Sequence, residues 1–209
     1  MYTVYGDIYS GNCYKVKLIM SLLDIDHTWQ HIDIMKQETR TPEFLAMNPN
    51  GRIPTVRVDE GPYAGQYLTE SNAILNFFAE GTPYLPADRL VRTRVLQWQF
   101  FEQYSHEPFV AVARFVMKYL NQGKEQKESL DKKRVRGYAA LDVMEQQLGQ
   151  TPYLAGDDYT IADISLYAYT RVADEGGFSL DNYPNILAWF ERIEAHSKHI
   201  SMDEASSLI

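Results

Sequence analysis

The sequence of 209 residues is long enough for one large domain or two small ones, and its 45% hydrophobic and 23% charged residues favour a packed core over disorder. The formal net charge of −8 argues against nucleic acid and anionic membrane surfaces as partners. The single cysteine, Cys13, excludes a disulfide scaffold and a cysteine-based zinc site, and it fits a cytoplasmic location. The sequence shows neither a visible signal peptide nor an apolar run long enough to span a membrane.

The N-terminal part of the chain alternates predicted strands and helices. Strands are predicted over residues 3–5, 27–34, 55–59 and 66–69, and helices over residues 12–23, 42–47 and 71–78. An apolar stripe at helical spacing defines the first helix, with Lys15 and Lys17 off the stripe. The opening strand–helix–strand unit predicts parallel pairing with a right-handed crossover. The short Gly/Pro turn before the last strand predicts antiparallel pairing there.

The C-terminal part shows no convincing strand pattern. Residues 80–87 hold one glycine and two prolines and are interpreted as a linker, so the predicted domains are residues 1–79 and residues 88–209. Helical patterns are predicted over residues 90–120, 125–148, 160–169 and 183–193. Residues 197–209 read as a polar tail with no clear pattern.

Five residues mark details of these helices. Pro108 should kink or interrupt the first long helical stretch. Val135 should lie near the apolar face of the next helix, and Gly149 should be its C′ residue. Thr160 fits the N-cap of a capping box, with Asp163 as its partner.

The stretch Asn48–Val56 combines two prolines and a glycine directly before a strand pattern. Pro54 stands at the strand entrance, where a missing backbone donor is tolerated, and the Ile53–Pro54 bond could be cis. A cis turn would leave the N–H and C=O of Ile53 unpaired and able to hold another peptide backbone. The alternative is an ordinary loop that enters an edge strand.

A β-α-β-α-β-β-α domain followed by a helical domain resembles the cytosolic glutathione S-transferase family. The motifs that carry the resemblance are the Ser10-Gly-Asn-Cys13 turn, Asn48-Pro49 leading to Ile53-Pro54, the Glu70-Ser71 pair, and Thr160-Ile-Ala-Asp163. The resemblance implies a thioredoxin-like N-terminal domain followed by an all-α helical bundle. It also implies glutathione as co-substrate, a role in detoxification, and a cytoplasmic homodimer. Neither nucleic acid, membrane nor metal is an expected partner.

In that family the N-terminal domain holds glutathione at several points. The resemblance implies that Ile53, before a cis Pro54, pairs with the cysteinyl backbone of glutathione. Glu70 can take the γ-glutamyl ammonium, and Ser71 at a helix N-terminus can take its carboxylate. The alternative for Ser71 is a plain N-cap. Lys36 and Arg52 could pair with the glycyl carboxylate, or they could be solvated surface charges.

The thiol end decides the chemistry, because a free thiol with a pKa of roughly 8.5 is mostly protonated at neutral pH. A hydroxyl near the first helix could stabilise the thiolate, and Ser10 matches the position of the serine-type classes. Asn12 and Tyr5 are the alternatives, and Tyr5 ends the first strand. Cys13 is interpreted mainly as a small core residue.

The helical domain is expected to contact the second substrate. The residues that could line a pocket for this substrate come from the interrupted helix, namely Tyr104, His106, Phe109 and Phe115. The alternative is that these side chains belong to the core, as aromatic stripes more often do, and that His106 is structural. The predicted function is a glutathione transferase that directs the thiol at a small hydrophobic electrophile. The alternatives are a glutathione-dependent disulfide reductase or peroxidase, and a non-enzymatic interaction protein on the same scaffold.

Overall fold

The computed structural model describes residues 1–207, and their contacts divide them into two units. The first unit comprises residues 1–80 and 197–207, and the second comprises residues 81–196. The first is a thioredoxin-like α/β unit and the second is a helical unit, as the sequence predicts. Among the described residues, no helix combines the length and the apolar character that crossing a membrane requires.

A mixed sheet forms the centre of the first unit. Its strands are β1 (Tyr2–Gly6), β2 (His27–His31), β3 (Thr55–Val58) and β4 (Tyr67–Thr69), in the order β2-β1-β3-β4. β1 pairs parallel with β2 and antiparallel with β3, and β3 pairs antiparallel with β4, which confirms both predicted pairings. β2 is shorter than predicted because Asp33 starts a turn, where its carboxylate accepts a 2.9 Å hydrogen bond from the Met35 N–H.

Two helices of the first unit cover one face of the sheet. The helices of this unit's N-terminal segment are α1 (Gly11–Leu22), α2 (Pro42–Met47) and α3 (Ser71–Ala79). The Tyr2 ring meets Phe78 of α3 edge-on, with centroids 4.9 Å apart. A side-chain carbon added to Gly6 would lie 2.6 Å from the Sγ of Cys13 in α1. Because Tyr2 and Gly6 share one face of β1, α1 and α3 lie on that same face.

The burial of α1 differs from the predicted stripe. Lys15 and Lys17, which the periodicity places off the apolar face, are both buried. The periodicity of a helix shows which side is apolar, but it does not show how many sides are covered. α1 is buried on almost all sides from Gly11 to Met20, with Asn12 the half-buried exception.

The last described segment belongs to the first unit, whereas the sequence-based boundary assigned residues 88–209 to the second domain. Residues 197–207 contain a further helix rather than a patternless tail. Its capping box joins Ser201 and Glu204, the Ser-x-x-Glu signal that the sequence interpretation missed. The segment lies against α1, where the Tyr14 hydroxyl donates to the carbonyl of Ile200 at 2.6 Å and the Ser21 hydroxyl donates to that of Lys198 at 2.9 Å.

The second unit is built from consecutive helices. They are α4 (Arg89–Phe101), α5 (Glu107–Arg114), α6 (Lys127–Leu148), α7 (Ile161–Thr170) and α8 (Pro184–Glu194), and the helix of residues Met202–Ser206 in the first unit is α9. A wide π-type turn over Glu102–His106 separates α4 from α5 just before Pro108, which confirms the predicted interruption. Val135 was predicted wrongly, because its side chain is 70% exposed. Gly149 is the C-cap of α6 with φ −75°, so it is not the left-handed C′ residue that was predicted.

A buried carboxylate fixes the start of α7. Thr160 and Asp163 form the predicted capping box, with the Thr160 N–H donating to Asp163 Oδ2 at 2.9 Å. Asp163 Oδ1 also accepts hydrogen bonds from the N–H of Leu154 at 2.9 Å and from the indole of Trp189 at 3.0 Å. Burial raises the pKa of Asp163 to about 6, and these donors act in the opposite direction. One carboxylate therefore joins α7, α8 and the loop before them.

Candidate functional site

The loop before β3 presents a free stretch of backbone. The Ile53–Pro54 peptide bond is cis, as the sequence suggested. Asn48 holds the loop: its Nδ2 donates to the carbonyl of Arg52 at 2.8 Å and its Oδ1 accepts from the Asn50 N–H at 3.1 Å. Among residues 1–207, no hydrogen bond reaches the N–H or C=O of Ile53. This backbone can therefore pair with an extended peptide ligand.

Glu70 and Ser71 stand at the N-terminus of α3. Glu70 is the N-cap residue, with φ 63° and an exposed side chain, so Ser71 is the first helical residue and not the plain N-cap of the alternative interpretation. The Ser71 hydroxyl is buried and donates to Asn12 Oδ1 at 3.1 Å. Because Asn12 lies in the first turn of α1, this bond brings the N-termini of α1 and α3 together.

Ser10 is the N-cap residue of α1, but its side chain makes no capping hydrogen bond. Its N–H donates to the carbonyl of Asp7 at 3.0 Å, which fixes the turn, and its side chain remains partly exposed. The Ser10 side chain lies close to the thiol of Cys13, where it acts to lower the pKa of that thiol. Ser10, Asn12 and Ser71 therefore form one polar group at two helix N-termini, where an anionic ligand is favoured.

Cys13 lies under this group as a fully buried core residue. Burial raises the pKa of its thiol to about 12, while hydrogen bonds from Ser10 and from the Asp7 backbone act in the opposite direction. The thiol is therefore protonated at neutral pH and cannot act as the nucleophile. This environment agrees with the interpretation of Cys13 as a core residue.

We expect Cys13 to react with a thiol reagent far more slowly in the native protein than in the unfolded chain. A pKa of about 12, against an ordinary value of 9.0, lowers the thiolate fraction about a thousandfold. Stopped-flow labelling at mildly alkaline pH, with and without denaturant, should show rates that differ at least a hundredfold. Equal rates in the two states would show that Cys13 is an accessible, reactive thiol.

Tyr5 is separated from this group by the sheet. Alternation along β1 places its side chain on the face of Thr3, whose hydroxyl donates to Asp59 at 2.8 Å. Tyr5 lies near Arg57 and Tyr67 on that face, opposite α1 and α3, and burial raises its pKa. This placement removes Tyr5 from the candidates for contact with a thiol held at Ser10.

Lys36 and Arg52 are both exposed, as expected for surface charges. The Lys36 ammonium lies 3.0 Å from Asp33 Oδ2, and this hydrogen bond raises the pKa of Lys36. A role for either residue with a ligand carboxylate remains a prediction. Among the described residues, no group of three His, Cys, Asp or Glu side chains is placed to hold a metal ion.

The predicted second-substrate residues lie in different environments within the second unit. His106 is fully buried with its Nε2 3.0 Å from the hydroxyl of Thr170, so its surroundings are those of a core residue and not of a pocket wall. Phe109 is half-buried under the guanidinium of Arg136, 5.1 Å from its ring. Tyr104 is 82% exposed. A wall role for Tyr104 and Phe109 remains a prediction.

Lys15 was not a predicted site residue, yet it contacts the same group. Its Nζ lies 2.8 Å from Asn12 Oδ1, and its side chain is 0% exposed. A lysine off an apolar stripe is normally solvated, so nothing in the sequence indicated that Lys15 would be buried. Its spacing of three residues from Asn12 was the one signal that the two side chains could make contact.

Comparison with known proteins identifies related chains over most of this sequence. Residues 9–80 match the family model of the glutathione S-transferase N-terminal domain, and residues 98–197 match that of the C-terminal domain. A glutathione S-transferase structure from Pseudomonas fluorescens Pf-5 is 56% identical, with TM-score 0.93, over 96% of this chain and 98% of that one.

Two more distant relatives bear on the ligand and the reaction. A glutathione transferase structure from Burkholderia graminis, 25% identical with TM-score 0.82 over 94% of this chain and 85% of that one, holds two glutathione molecules per subunit. The disulfide-bond oxidoreductase YfcG of Escherichia coli K12 is 28% identical over 88% of this chain and 86% of its own length.

Proposed function

The chain belongs to the glutathione S-transferase family, and we propose that it binds glutathione in its first unit and activates the thiol for attack on a small hydrophobic electrophile. The observation that carries the proposal is the hydrogen bond of 3.1 Å between Ser71 and Asn12, beside Ser10. This hydrogen bond brings the N-termini of α1 and α3 together, and a helix N-terminus favours an anionic group such as the γ-glutamyl carboxylate or the thiolate of glutathione.

Each part of glutathione has a partner of suitable chemistry. The unpaired N–H of Ile53 donates to the cysteinyl C=O and the unpaired C=O of Ile53 accepts from the cysteinyl N–H, so that the ligand backbone lies as a short strand. The exposed carboxylate of Glu70 takes the γ-glutamyl ammonium, and Ser71 with the N-terminus of α3 takes the γ-glutamyl carboxylate. Lys36 and Arg52 are the proposed partners of the glycyl carboxylate.

The thiol is activated at the N-terminus of α1. A hydrogen bond from Ser10 to the thiolate contributes about 1.5–3 kcal/mol, and the helix N-terminus adds about 0.3–1 kcal/mol. At about 1.4 kcal/mol per unit, these terms lower the pKa of the bound thiol by roughly one to three units. The thiolate electron pair then forms the sulfur–carbon bond as the leaving group departs with its own pair, and the thiol proton goes to solvent.

Calorimetry with glutathione, followed by conjugation of a chlorodinitrobenzene, tests this function. We expect binding at or below millimolar concentration and glutathione-dependent formation of the conjugate. No binding at millimolar concentration would overturn the proposal and favour the non-enzymatic interaction protein.

Disulfide reduction is the second candidate function. The name of the Escherichia coli relative favours it, and so does the pair of glutathione molecules in the Burkholderia structure. Since Ser10 stands where a redox cysteine would be needed and Cys13 is buried, glutathione must supply both thiols. One glutathione thiolate would attack the disulfide, forming a mixed disulfide and releasing the first substrate thiol. The second glutathione thiolate would attack the glutathione sulfur of the mixed disulfide, forming oxidised glutathione and releasing the second substrate thiol. Comparing turnover of a small disulfide, a hydroperoxide and a chlorodinitrobenzene by one preparation separates these activities.

We expect Ser71→Ala to weaken glutathione binding by about tenfold, since it removes one charge-assisted hydrogen bond to the γ-glutamyl carboxylate. Calorimetry should show the loss in the dissociation constant. Ser179→Ala, in an exposed loop of the second unit, is the matched control and should bind like the wild type. An unchanged dissociation constant in Ser71→Ala would remove Ser71 from the clamp.

We also propose that the protein is a cytoplasmic homodimer. An exposed apolar pair on α4 supports a second copy of the chain as its occupant: Leu96 and Phe100 follow at i and i+4, and Phe100 is 71% exposed. We expect Phe100→Glu to shift sedimentation velocity from dimer to monomer. A monomeric wild type would contradict the proposal.

A further inference from the structure

Lys15 carries a charge in the interior of the first unit. Its side chain is 0% exposed, and it lies one turn after Asn12 in α1. Removing an ammonium from water is unfavourable unless the surroundings supply acceptors. One of its acceptors is the Asn12 carboxamide, at 2.8 Å from Nζ.

This contact fixes which way the Asn12 carboxamide is turned. A lysine ammonium can only donate hydrogen bonds, so the Asn12 atom that faces it must be the oxygen. The Ser71 hydroxyl lies 3.1 Å from the same oxygen and donates to it as well. A hydroxyl has only one hydrogen to donate, so when Ser71 turns it to the ligand carboxylate, Lys15 still holds Oδ1 and the N–H groups of the carboxamide stay on the other edge. Asn12 is also the half-buried residue in an otherwise buried stretch of α1.

We propose that Lys15 is a positioning residue, which holds the Asn12 oxygen so that the Asn12 N–H group donates to the sulfur of glutathione beside Ser10. The inference rests on the proposed function and deepens it, because it assigns a second donor to the thiolate. The Lys15 charge also polarises the carboxamide and strengthens its N–H as a donor. Asn12 touches the substrate, and Lys15 acts through Asn12.

A merely structural role would have Lys15 and Asn12 tie α1 to α3 without any effect on the thiol. The two roles differ in the pKa of the bound glutathione thiol, which is read from the ultraviolet absorbance of the thiolate as pH is raised. Lys15→Met keeps most of the side-chain volume and removes the ammonium. Lys17→Met is the matched control, since Lys17 is a buried lysine on the same helix that contacts His27 at 2.9 Å.

The test is a cycle of wild type, Lys15→Met, Asn12→Ala and the double variant, each saturated with glutathione. We expect Lys15→Met to raise the pKa of the bound thiol by about one unit and to lower kcat about tenfold, because it weakens one donor to the charged form. KM for glutathione should change less than kcat. Lys17→Met should leave the thiol pKa at the wild-type value. In the Asn12→Ala background, Lys15→Met should produce no further shift.

Two outcomes overturn the inference. Lys15→Met could reduce stability in denaturant and leave the thiol pKa and kcat unchanged, which would show a structural role. It could instead shift the thiol pKa equally with and without Asn12, which would show a direct field effect. If Lys15→Met does not fold, Lys15→Gln takes its place in the same cycle. Failure of the wild type to bind glutathione contradicts the proposed function, whereas binding with a Lys15-independent thiol pKa contradicts this inference alone.

Discussion

Ser10→Ala is expected to lower kcat/KM for conjugation by about 10²-fold at neutral pH, because it removes a preorganised donor to the reacting thiolate. The dissociation constant for glutathione should remain close to the wild-type value, since the variant leaves the proposed contacts of Ile53, Glu70 and Ser71 with the rest of the tripeptide in place. The same variant should raise the pKa of the bound thiol by about one to two units. Steady-state conjugation across a pH series and thiolate absorbance measure the two effects.

Tyr5→Phe is the matched control for Ser10→Ala, because it also deletes one hydroxyl. Tyr5 lies near Arg57 and Tyr67, on the sheet face opposite α1, so its loss should leave conjugation unchanged. Wild-type activity in Ser10→Ala would remove Ser10 from the role. If that result came with inactivity in Tyr5→Phe, the hydroxyl would have been assigned to the wrong residue.

Asp163→Ala is expected to destabilise the protein by about 3–5 kcal/mol at neutral pH, above the pKa of about 6 of this carboxyl. The substitution leaves the N–H groups of Leu154 and Thr160 and the indole of Trp189 without their acceptor. Each buried donor that is left unsatisfied costs about 1–3 kcal/mol. Urea unfolding followed by circular dichroism measures the loss.

Thr160→Ala is the comparison for Asp163→Ala within the same capping box. It removes the hydroxyl that accepts from the N–H groups of Ala162 and Asp163 and donates to Asp163 Oδ2 at 3.2 Å, and it should cost only about 1 kcal/mol because the Asp163 carboxylate remains as an acceptor. Similar losses in the two variants would show that Asp163 acts as an ordinary cap and not as the joint between α7 and α8.

The sequence predicted the features that local patterns specify. Pro54 and the residues before it defined the turn, and Thr160 with Asp163 defined the start of α7, because caps and turns depend on neighbours in the chain. Ser201 and Glu204 carried an equally local signal, but the surrounding residues lacked an apolar period that would draw attention to it.

Other features depended on contacts between distant segments. Alternation along β1 places Tyr5 opposite Val4, but only the packing shows which face receives α1. The burial of Lys15 and the exposure of Val135 have the same origin, since the period of a helix does not state how much of it is covered. The contact of Asn12 with Ser71 joins residues 59 positions apart, and no spacing rule predicts it.

The attachment of residues 197–207 to α1 has a consequence for synthesis. A chain emerges from the ribosome N-terminal end first, and domains generally fold as units in that order. Here the unit that begins first is completed last, because the partners of Tyr14 and Ser21 emerge only after residues 81–196. The nascent first unit must therefore wait for the whole helical unit to be translated before α1 gains its final cover.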